Sequence, residues 1–437
     1  MKVPSNQFGF EELRAARRES RALFWAAGLF SAFVNLLMLT GPLYMLQVYD
    51  RVLGSRSVAT LLALTALVVF LYTMMGLLDY ARGRIMARAG ARFQARLDKR
   101  VFDAVMRKNA LGHQDETALA LRDLEAVQRL LTSPALMALF DMPFAPLFLF
   151  GIFLFHPWLG YLAIVGGALL IVLTLTNLLA TRRPLNRANS AVAHAEILSE
   201  QIRSEAEMIE AMGMRASAFA RWQKARTASL SEHMTAADLS GVFTTSGKAF
   251  RLLLQSAMLG LGAYLVLQNQ LTPGAMIAGS ILMGRALAPI EMSIGHWPLF
   301  ARARKGWQVL AQLLSDVPPE PSRMPLPRPN ALLEVIQVTV VPPGEAQASL
   351  KVVNFTVKPG QAVGVIGKSG AGKSSLARAL TGAWRPAGGK IRLDGAALDQ
   401  YDPTILGDLI GYLPQRVELF EGTIAENIAR LSLAPDA

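Results

Sequence analysis

The sequence has 437 residues, of which 52% are hydrophobic and only 17% are charged, and its mean hydropathy is +0.33. This composition is too apolar for an ordinary soluble protein and indicates membrane spans. The formal net charge of +12 fits basic cytoplasmic loops, and no basic patch with aromatic stacking residues indicates nucleic-acid binding. The sequence contains no cysteine, which excludes disulfides, thiolate metal sites and a cysteine nucleophile.

Six apolar segments follow a short basic arm at residues 1–21. They lie at residues 22–48, 58–78, 134–155, 158–180, 249–267 and 272–298. Each is long enough to cross about 30 Å of hydrocarbon as a helix, and six such segments disfavour the alternative of buried helices in a large soluble protein. The sequence therefore predicts a six-helix membrane domain over residues 22–316.

Two long polar insertions with a helical spacing of apolar residues lie between the spans, at residues 79–133 and 181–246. We expect them to be helices that continue out of the membrane. Lys and Arg concentrate in the arm, in the insertions and after the last span. The positive-inside rule then predicts that both termini are cytoplasmic. The turn after the first span, which contains Arg51 and Arg56, is an exception to this distribution.

Residues 317–330 are rich in proline and are predicted to be a linker between two domains. From residue 331 to residue 437 the pattern changes to short apolar strands. Strands are predicted at residues 332–340, 350–357, 361–366, 390–393 and 409–413. Because helical segments alternate with these strands, we expect an α/β nucleotide-binding domain.

A phosphate-binding motif organises this second domain. From residue 367 the sequence is G-K-S-G-A-G-K-S-S, which matches the Walker A pattern G-x-x-x-x-G-K-S. The predicted nucleotide-binding residues are Gly367, Lys368, Ser369, Gly370, Ala371, Gly372, Lys373, Ser374 and Ser375. The amides of the loop are expected to face the phosphates of ATP at a helix N-terminus. Lys373 is assigned to the β- and γ-phosphates and Ser374 to Mg²⁺. The alternative, a Gly/Ser-rich turn before an ordinary helix, is disfavoured by the apolar run before the loop and the helix formers after it.

The combination of six spans, two long insertions, a linker and a phosphate loop resembles an exporter-type ABC transporter. Residues 412–415 (Y-L-P-Q) and 423–428 (T-I-A-E-N-I) resemble the Q-loop of ABC ATPases and the run that follows it. The resemblance implies that Gln415 contacts Mg²⁺ or the attacking water. Without that context, Gln415 would be interpreted as a surface glutamine.

Four membrane-domain segments resemble a narrower family, the type I secretion permease/ATPases. They are residues 44–53 (Y-M-L-Q-V-Y-D-R-V-L), 141–146 (D-M-P-F-A-P), 211–214 (A-M-G-M) and 285–291 (R-A-L-A-P-I-E). The resemblance is greatest to the PrtD-type branch, which exports proteases and lipases and has no N-terminal peptidase-like domain. We expect residues 211–214 to contact the nucleotide-binding domain.

This resemblance implies ATP-driven export of an unfolded protein with a C-terminal signal across the bacterial inner membrane. It also implies a homodimer, with a periplasmic membrane-fusion adaptor and an outer-membrane channel as partners. Two alternatives stay open: a lipid or peptide exporter with the same fold, and a catalytically inactive nucleotide-binding subunit that regulates a partner.

The sequence differs from the family pattern in two ways. Residues 340–344 contain no aromatic side chain that would stack on adenine, which leaves the nucleotide selectivity open. The signature motif, the Walker B aspartate and the catalytic glutamate of the family are not found up to residue 437. We therefore expect an incomplete ATPase domain that binds ATP but does not hydrolyse it, although the family as a whole consists of ATPases.

Charged residues inside the apolar segments have competing interpretations, since ionised groups are unfavourable in the membrane. Arg285 and Glu291 either line the path of the exported polypeptide, or they pair or lie near the cytoplasmic end. Asp141 is predicted to cap or orient a helix. Three methionines in the second insertion, Met208, Met212 and Met214, are predicted to be packing residues.

Overall fold

The computed structural model of the chain describes residues 8–110, 120–319, 323, 326–415, 417 and 419–432. Within these residues the chain divides into two units. The first contains residues up to 102 and residues 120–316, and the second contains residues 103–110 and the residues after 316.

Six helices in the described part of the chain are long and apolar enough to cross a membrane. They are numbered spans 1 to 6 and comprise Arg21–Ser55, Val58–Ala110, Pro134–Phe155, Pro157–Ser204, Arg215–Leu267 and Pro273–Ser293. The predicted helical membrane domain is thereby confirmed.

Spans 1 and 3 are interrupted close to prolines. Span 1 consists of the helices Arg21–Leu37 and Thr40–Gln47, a π-helical turn at Val48–Val52 and a final turn at Leu53–Ser55. Span 3 consists of Pro134–Asp141, a 3-10 turn at Met142–Phe144 and Ala145–Phe155. Proline has no N–H to donate to the carbonyl four residues earlier, so Pro42 weakens span 1 at residue 38, where its first helix ends.

The two polar insertions are formed mainly by continuations of the spanning helices, as predicted. The helix of span 2 runs from Val58 to Ala110 and that of span 4 from Pro157 to Ser204. A short helix, Ala206–Ala211, connects span 4 to span 5. In the last part of the first insertion, the amphipathic helix Ala120–Leu131 packs on the helix Trp297–Asp316, which follows span 6.

The membrane domain has a core formed by spans 3 to 6. Its buried side chains are Phe148, Ile152, Leu159, Ala163, Leu170, Leu254, Met258, Leu265, Leu282, Met283, Ala286 and Leu287. Span 6 is the most enclosed, since half of its most apolar window is buried. Lipid is as apolar as these side chains, so close packing holds such helices together.

The arm before span 1 is more ordered than the sequence predicted. Residues 8–19 form the helix Phe8–Glu19, which packs on Trp297–Asp316. Leu13 and Ala16 lie on its buried face, and the Glu12 carboxylate accepts a hydrogen bond from Arg100 Nε at 3.0 Å. The polar composition of the arm concealed a narrow apolar stripe with helical spacing.

The second unit contains a four-stranded sheet. Its strands are β1 (Leu333–Val340), β2 (Leu350–Val357), β3 (Gly388–Leu393) and β4 (Ala396–Ala397). Their order is β2-β1-β3-β4 and all three pairings are antiparallel. The helices Lys373–Leu380, Pro403–Leu409 and Ile424–Ile428 complete the unit. Side chains from β1 and β3 form its core together with Ala379, Tyr401 and Leu406.

Two predicted strands are wrong. Residues 361–366 and 409–413 form no strand, and apolar side chains in both segments are exposed, Ile366 at 96% and Leu413 at 79%. A strand exists only if a neighbouring strand accepts and donates its backbone hydrogen bonds. In the part of the chain that the structure describes, neither segment has such a neighbour.

Candidate phosphate-binding site and the polar groups of the membrane domain

The predicted phosphate loop lies directly before the helix Lys373–Leu380. Gly372 is the N-cap of this helix and has a φ of +87°, which favours glycine. A Cβ at Gly372 would also lie 2.8 Å from the carbonyl oxygen of Ser349, the residue before β2. Glycine is therefore required at this position both by the backbone angle and by the space available.

The Lys373 ammonium group folds back over the loop. Its Nζ donates to the carbonyl oxygens of Gly367 at 2.8 Å and Lys368 at 2.9 Å. Ser374 is exposed in the first turn of the helix, where backbone N–H groups have no acceptor within the helix. The loop thus combines a cation, a hydroxyl and N–H groups at the positive end of a helix dipole, which suits a phosphate group.

The helix behind the loop is anchored on its other face. Leu376 and Ala379 are buried, and the Arg378 guanidinium lies 4.7 Å from the centre of the Trp384 ring. The backbone N–H of Trp384 donates to the Arg378 carbonyl oxygen at 3.1 Å. These contacts fix the C-terminal end of the helix and leave its N-terminal end free for a ligand.

Gln415 is exposed and lies in an irregular segment. Within the described residues, no hydrogen bond connects its side chain to the phosphate loop. The assignment of Gln415 to Mg²⁺ or water stays a prediction.

The run after Gln415 has a structural role that sequence reasoning missed. Thr423 and Glu426 form a capping box, in which Glu426 N donates to Thr423 Oγ1 at 3.1 Å and Thr423 N donates to Glu426 Oε2 at 2.6 Å. The hydrogen bond from the Thr423 backbone lowers the pKa of the Glu426 carboxyl. Asn427 accepts from Phe420 N and donates to Phe420 O. The spacing T-x-x-E is a known capping signal and would have predicted this arrangement.

Residues 340–344, which the structure describes, contribute no aromatic side chain that could stack on adenine. Val340 is fully buried at the end of β1, and Glu345 N donates to the Pro342 carbonyl oxygen in the turn that follows.

The structure distinguishes between the two interpretations of Glu291. Glu291 Oε1 lies 3.1 Å from Arg251 Nε on span 5, so its carboxylate joins spans 5 and 6. Arg285 is exposed and has no ion pair among the described residues. Asp141 accepts hydrogen bonds from Arg82 Nη1 at 2.6 Å and from Asn35 Nδ2 at 2.8 Å. It therefore orients the first helix of span 3, as predicted, although its two partners were not foreseen.

The short helix Ala206–Ala211 presents methionines to its surroundings. Met208 is 46% exposed and Met212 is 66% exposed, so the prediction that they are packing residues is wrong for these two. A residue after a short surface helix packs only if another element covers it, and in the described part of the first unit none does. The contact of residues 211–214 with the nucleotide-binding domain stays a prediction.

Together, the fold and the site define a membrane-spanning protein with a phosphate loop. Comparison with known families supports this class: residues 24–288 match the ABC transporter transmembrane region, and residues 350–436 match the ABC transporter domain. The chain belongs to the ABC transporter family, in its branch of type I secretion ATP-binding proteins, as its motifs predicted.

The relatives within this branch are secretion proteins. The chain is 42% identical to the type I secretion system ATP-binding protein PrsD of Rhizobium meliloti over 96% of its own length and 72% of that protein. It is 27% identical to the leukotoxin translocation ATP-binding protein LktB of Mannheimia haemolytica, over 97% of its length and 60% of the relative. It is 25% identical to the alpha-hemolysin translocation ATP-binding protein HlyB of Escherichia coli O157:H7, over 92% of its own length and 58% of that protein. The chain thus spans less than two thirds of the two toxin translocators.

A solved structure confirms the fold. A bacterial Atm1-family ABC exporter with ATP bound superposes with a TM-score of 0.71 at 20% identity, over 94% of this chain and 74% of that one.

Proposed function

We propose that the chain is the ABC subunit of a type I secretion system. In this role it uses ATP to export an unfolded protein with a C-terminal signal across the bacterial inner membrane. One chain that is 42% identical to PrsD contains both six spans and a phosphate loop whose lysine lies over the helix N-terminus. This combination is the observation that carries the proposal. The proposed organisation is an arm at residues 1–21, a membrane domain at 22–316, a linker at 317–330 and a nucleotide-binding region at 331–437.

The residues of the loop fit ATP and Mg²⁺. Residues 367–375 are proposed to cradle the phosphates, with Lys373 neutralising their negative charge and Ser374 supplying an oxygen ligand to Mg²⁺. Gln415 is proposed as a second contact to Mg²⁺ or water. Phosphoryl transfer also needs a residue that orients the nucleophile, and we assign that role to no residue of this chain. By themselves, residues 1–437 are therefore proposed to bind ATP without hydrolysing it at a useful rate, so ATP-driven export by this subunit also requires a nucleophile-orienting residue that they do not supply.

The transporter is proposed to act as a homodimer with both termini in the cytoplasm. Its proposed partners are a periplasmic membrane-fusion adaptor and an outer-membrane channel, which would carry the polypeptide beyond the inner membrane.

The test is complementation of a Rhizobium meliloti strain that lacks PrsD. The full-length protein is expected to restore secretion of the polypeptides that are missing from the culture medium of this strain. Its Lys373→Ala variant, present in the membrane in equal amount, is expected to restore none of them. Failure of the wild-type protein to restore any secreted polypeptide, together with ATP-dependent movement of phospholipid in vesicles, would contradict the proposal and favour a lipid exporter.

A further inference from the structure

The helix of span 2 carries a row of arginines directly after its apolar segment. From residue 80 to residue 92 it contains four arginines and no acidic residue. Arg82 is buried. The other three are exposed and follow one another at a spacing of four residues, which places them on one side of the helix. We call these three residues, Arg84, Arg88 and Arg92, the arginine stripe.

The arginine stripe continues a face that is apolar within the membrane. Phe70, Leu77 and Arg84 are seven residues apart, just under two helical turns, so they lie on the same face. Both apolar side chains are exposed, and the helix runs without a break from Val58 to Ala110. None of the most apolar window of span 2 is buried in the described part of the chain. The stripe therefore extends a surface that the described residues leave open to lipid.

The first member of the stripe lies at the level of lipid headgroups. Arg84 follows Leu78, the last residue of the apolar segment, by about 9 Å along the helix axis, and the headgroup layer is about 5–8 Å thick. Side chains on a helix point toward its N-terminus, which here is the direction of the membrane. The Arg84 guanidinium follows this direction, since its Cζ lies 6.0 Å from the ring centre of Tyr80, one turn nearer the membrane. Tyrosine is enriched at the membrane–water interface.

Span 1 supports the same level for the interface. Arg82 Nη1 donates to Ser31 Oγ at 2.8 Å, and Arg96 Nε lies 3.2 Å from Glu19 Oε1, so the two helices run antiparallel side by side. Trp25 lies midway between the two partners on span 1 and is therefore level with the middle of the arginine stripe. Its side chain is exposed, and tryptophan is also enriched at the interface.

No carboxylate in the described part of the chain pairs with the arginine stripe. The nearby carboxylates are already used, since Asp79 and Asp141 pair with Arg82 and Glu19 pairs with Arg96. Like charges four residues apart on a helix repel each other. An anion bound between neighbouring members of the stripe would remove this repulsion. A guanidinium matches the oxygens of a phosphate with its forked N–H groups, and phosphates are the anions present at headgroup level.

We propose that the arginine stripe binds the phosphate groups of anionic phospholipids at the membrane surface beside the first insertion. Lipids with a net negative charge are preferred, because a zwitterionic headgroup brings its own cation to the site. The inference concerns the surrounding membrane rather than the exported polypeptide, and it requires neither a cargo nor ATP hydrolysis.

The test compares two lipids in one bilayer. The full-length protein is reconstituted into phosphatidylcholine vesicles that contain a trace of spin-labelled phosphatidylglycerol or spin-labelled phosphatidylcholine, and the fraction of immobilised label is measured. Wild type is expected to immobilise phosphatidylglycerol several-fold more strongly, and high salt is expected to reduce this preference. Changing all three members of the stripe to Gln is expected to remove most of the preference, whereas changing all three to Lys is expected to keep most of it.

The matched control removes three exposed cations far from the membrane. Arg221→Gln, Lys224→Gln and Arg226→Gln change the second insertion more than 20 residues before the fifth apolar segment, or about 30 Å along a helix. The triple variant is expected to keep the wild-type preference.

Three outcomes would overturn the inference. The first is equal immobilisation of the two lipids by wild type, and the second is an unchanged preference in the triple Gln variant of the stripe. If that variant also loses cross-linking between two copies of the chain, the stripe belongs to a subunit interface. The third is displacement of phosphatidylglycerol by inorganic phosphate at constant ionic strength, which would make the stripe a site for a soluble anion.

Discussion

Arg82 on span 2 donates a 2.6 Å hydrogen bond from Nη1 to Oδ1 of Asp141 on span 3. The Arg82 side chain is only 7% exposed. Its guanidinium also donates to Ser31 on span 1 at 2.8 Å and to Asp79 on its own helix at 2.7 Å. Asn35, one turn further along span 1, donates to the same Asp141 oxygen at 2.8 Å. Arg82 and Asp141 thus connect three spans, and the largely buried Asp141 carboxylate is unfavourable in this environment without the cation.

We expect Arg82→Ala to destabilise the membrane domain by about 3–5 kcal/mol, because it leaves the Asp141 carboxylate buried without its cation. The measurement is thermal unfolding of the purified protein in detergent. Arg88→Ala, on the exposed side of the same helix, is the control and is expected to unfold near the wild-type temperature. In the double variant Arg82→Ala with Asp141→Ala, most of the loss is expected to disappear. Equal unfolding temperatures for Arg82→Ala and Arg88→Ala would show that the pair contributes nothing.

Asp50 caps the start of span 6 from a position 224 residues away in the chain. Its Oδ1 accepts from Gly274 N at 2.9 Å and its Oδ2 accepts from Thr272 Oγ1 at 2.7 Å. A Cβ at Gly274 would lie 2.6 Å from the Asp50 carboxylate. Gly274→Ala is therefore expected to expel the cap and to lower stability by at least about 1 kcal/mol, the usual contribution of a cap.

The matched control for Gly274→Ala is Gly54→Ala, since a Cβ there would meet no atom within 4 Å. Asp50→Ala is expected to lower the unfolding temperature as much as Gly274→Ala does, and the two changes together no more than either alone. Additive losses would show that the two residues act independently and that the contact is unimportant.

Features of the fold that depend on local composition were predictable from the sequence. The six spans follow from runs of apolar residues, and the phosphate loop follows from the spacing of glycines, Lys373 and Ser374. Both signals lie within about 20 consecutive residues, the length of one span.

Features that depend on distant residues were not predictable. Arg82 and Asp141 are 59 residues apart, and Asn35 and Asp141 are 106 apart, and no pattern in one segment reports on the other. Residues 361–366 have a strand-like composition, yet pairing decides whether a strand forms, and Ile366 is 96% exposed. The helix that contains Leu13 and Ala16 was not predicted, because charged residues surround its two buried apolar side chains in the sequence.

Asp123 makes stability depend on pH. Burial raises the pKa of its carboxyl above the ordinary value of 3.8, although Arg302 and Lys305 act in the opposite direction. The Arg302 guanidinium lies 3.0 Å from the carboxylate. Because the folded state holds the proton more tightly than the unfolded state, the contribution of Asp123 to stability falls as the pH rises from 3.8 through the raised pKa.

The test for Asp123 compares the unfolding free energy of wild type and Asp123→Asn across this pH range. Wild type is expected to lose stability relative to Asp123→Asn as the pH rises, because only wild type must release the buried proton. The opposite slope would mean that the ion pair with Arg302 dominates over burial and that the pKa of Asp123 is lowered.

The phosphate loop gives the sharpest prediction, because Gly372 and Lys373 act through different physical effects. Gly372→Ala forces a side chain into a φ of +87° and into the space beside Ser349, which distorts the loop. Lys373→Ala leaves the backbone intact and removes the ammonium that lies over it. Both variants are expected to weaken binding of a fluorescent ATP analogue in the presence of Mg²⁺ by at least about tenfold, or ~1.4 kcal/mol. Only Lys373→Ala is expected to reduce the dependence of binding on salt, since only it removes a charge.

The control for both variants is Gly411→Ala, where a Cβ would meet no atom within 4 Å. Wild-type affinity for the ATP analogue in Lys373→Ala would show that the loop does not hold the phosphates.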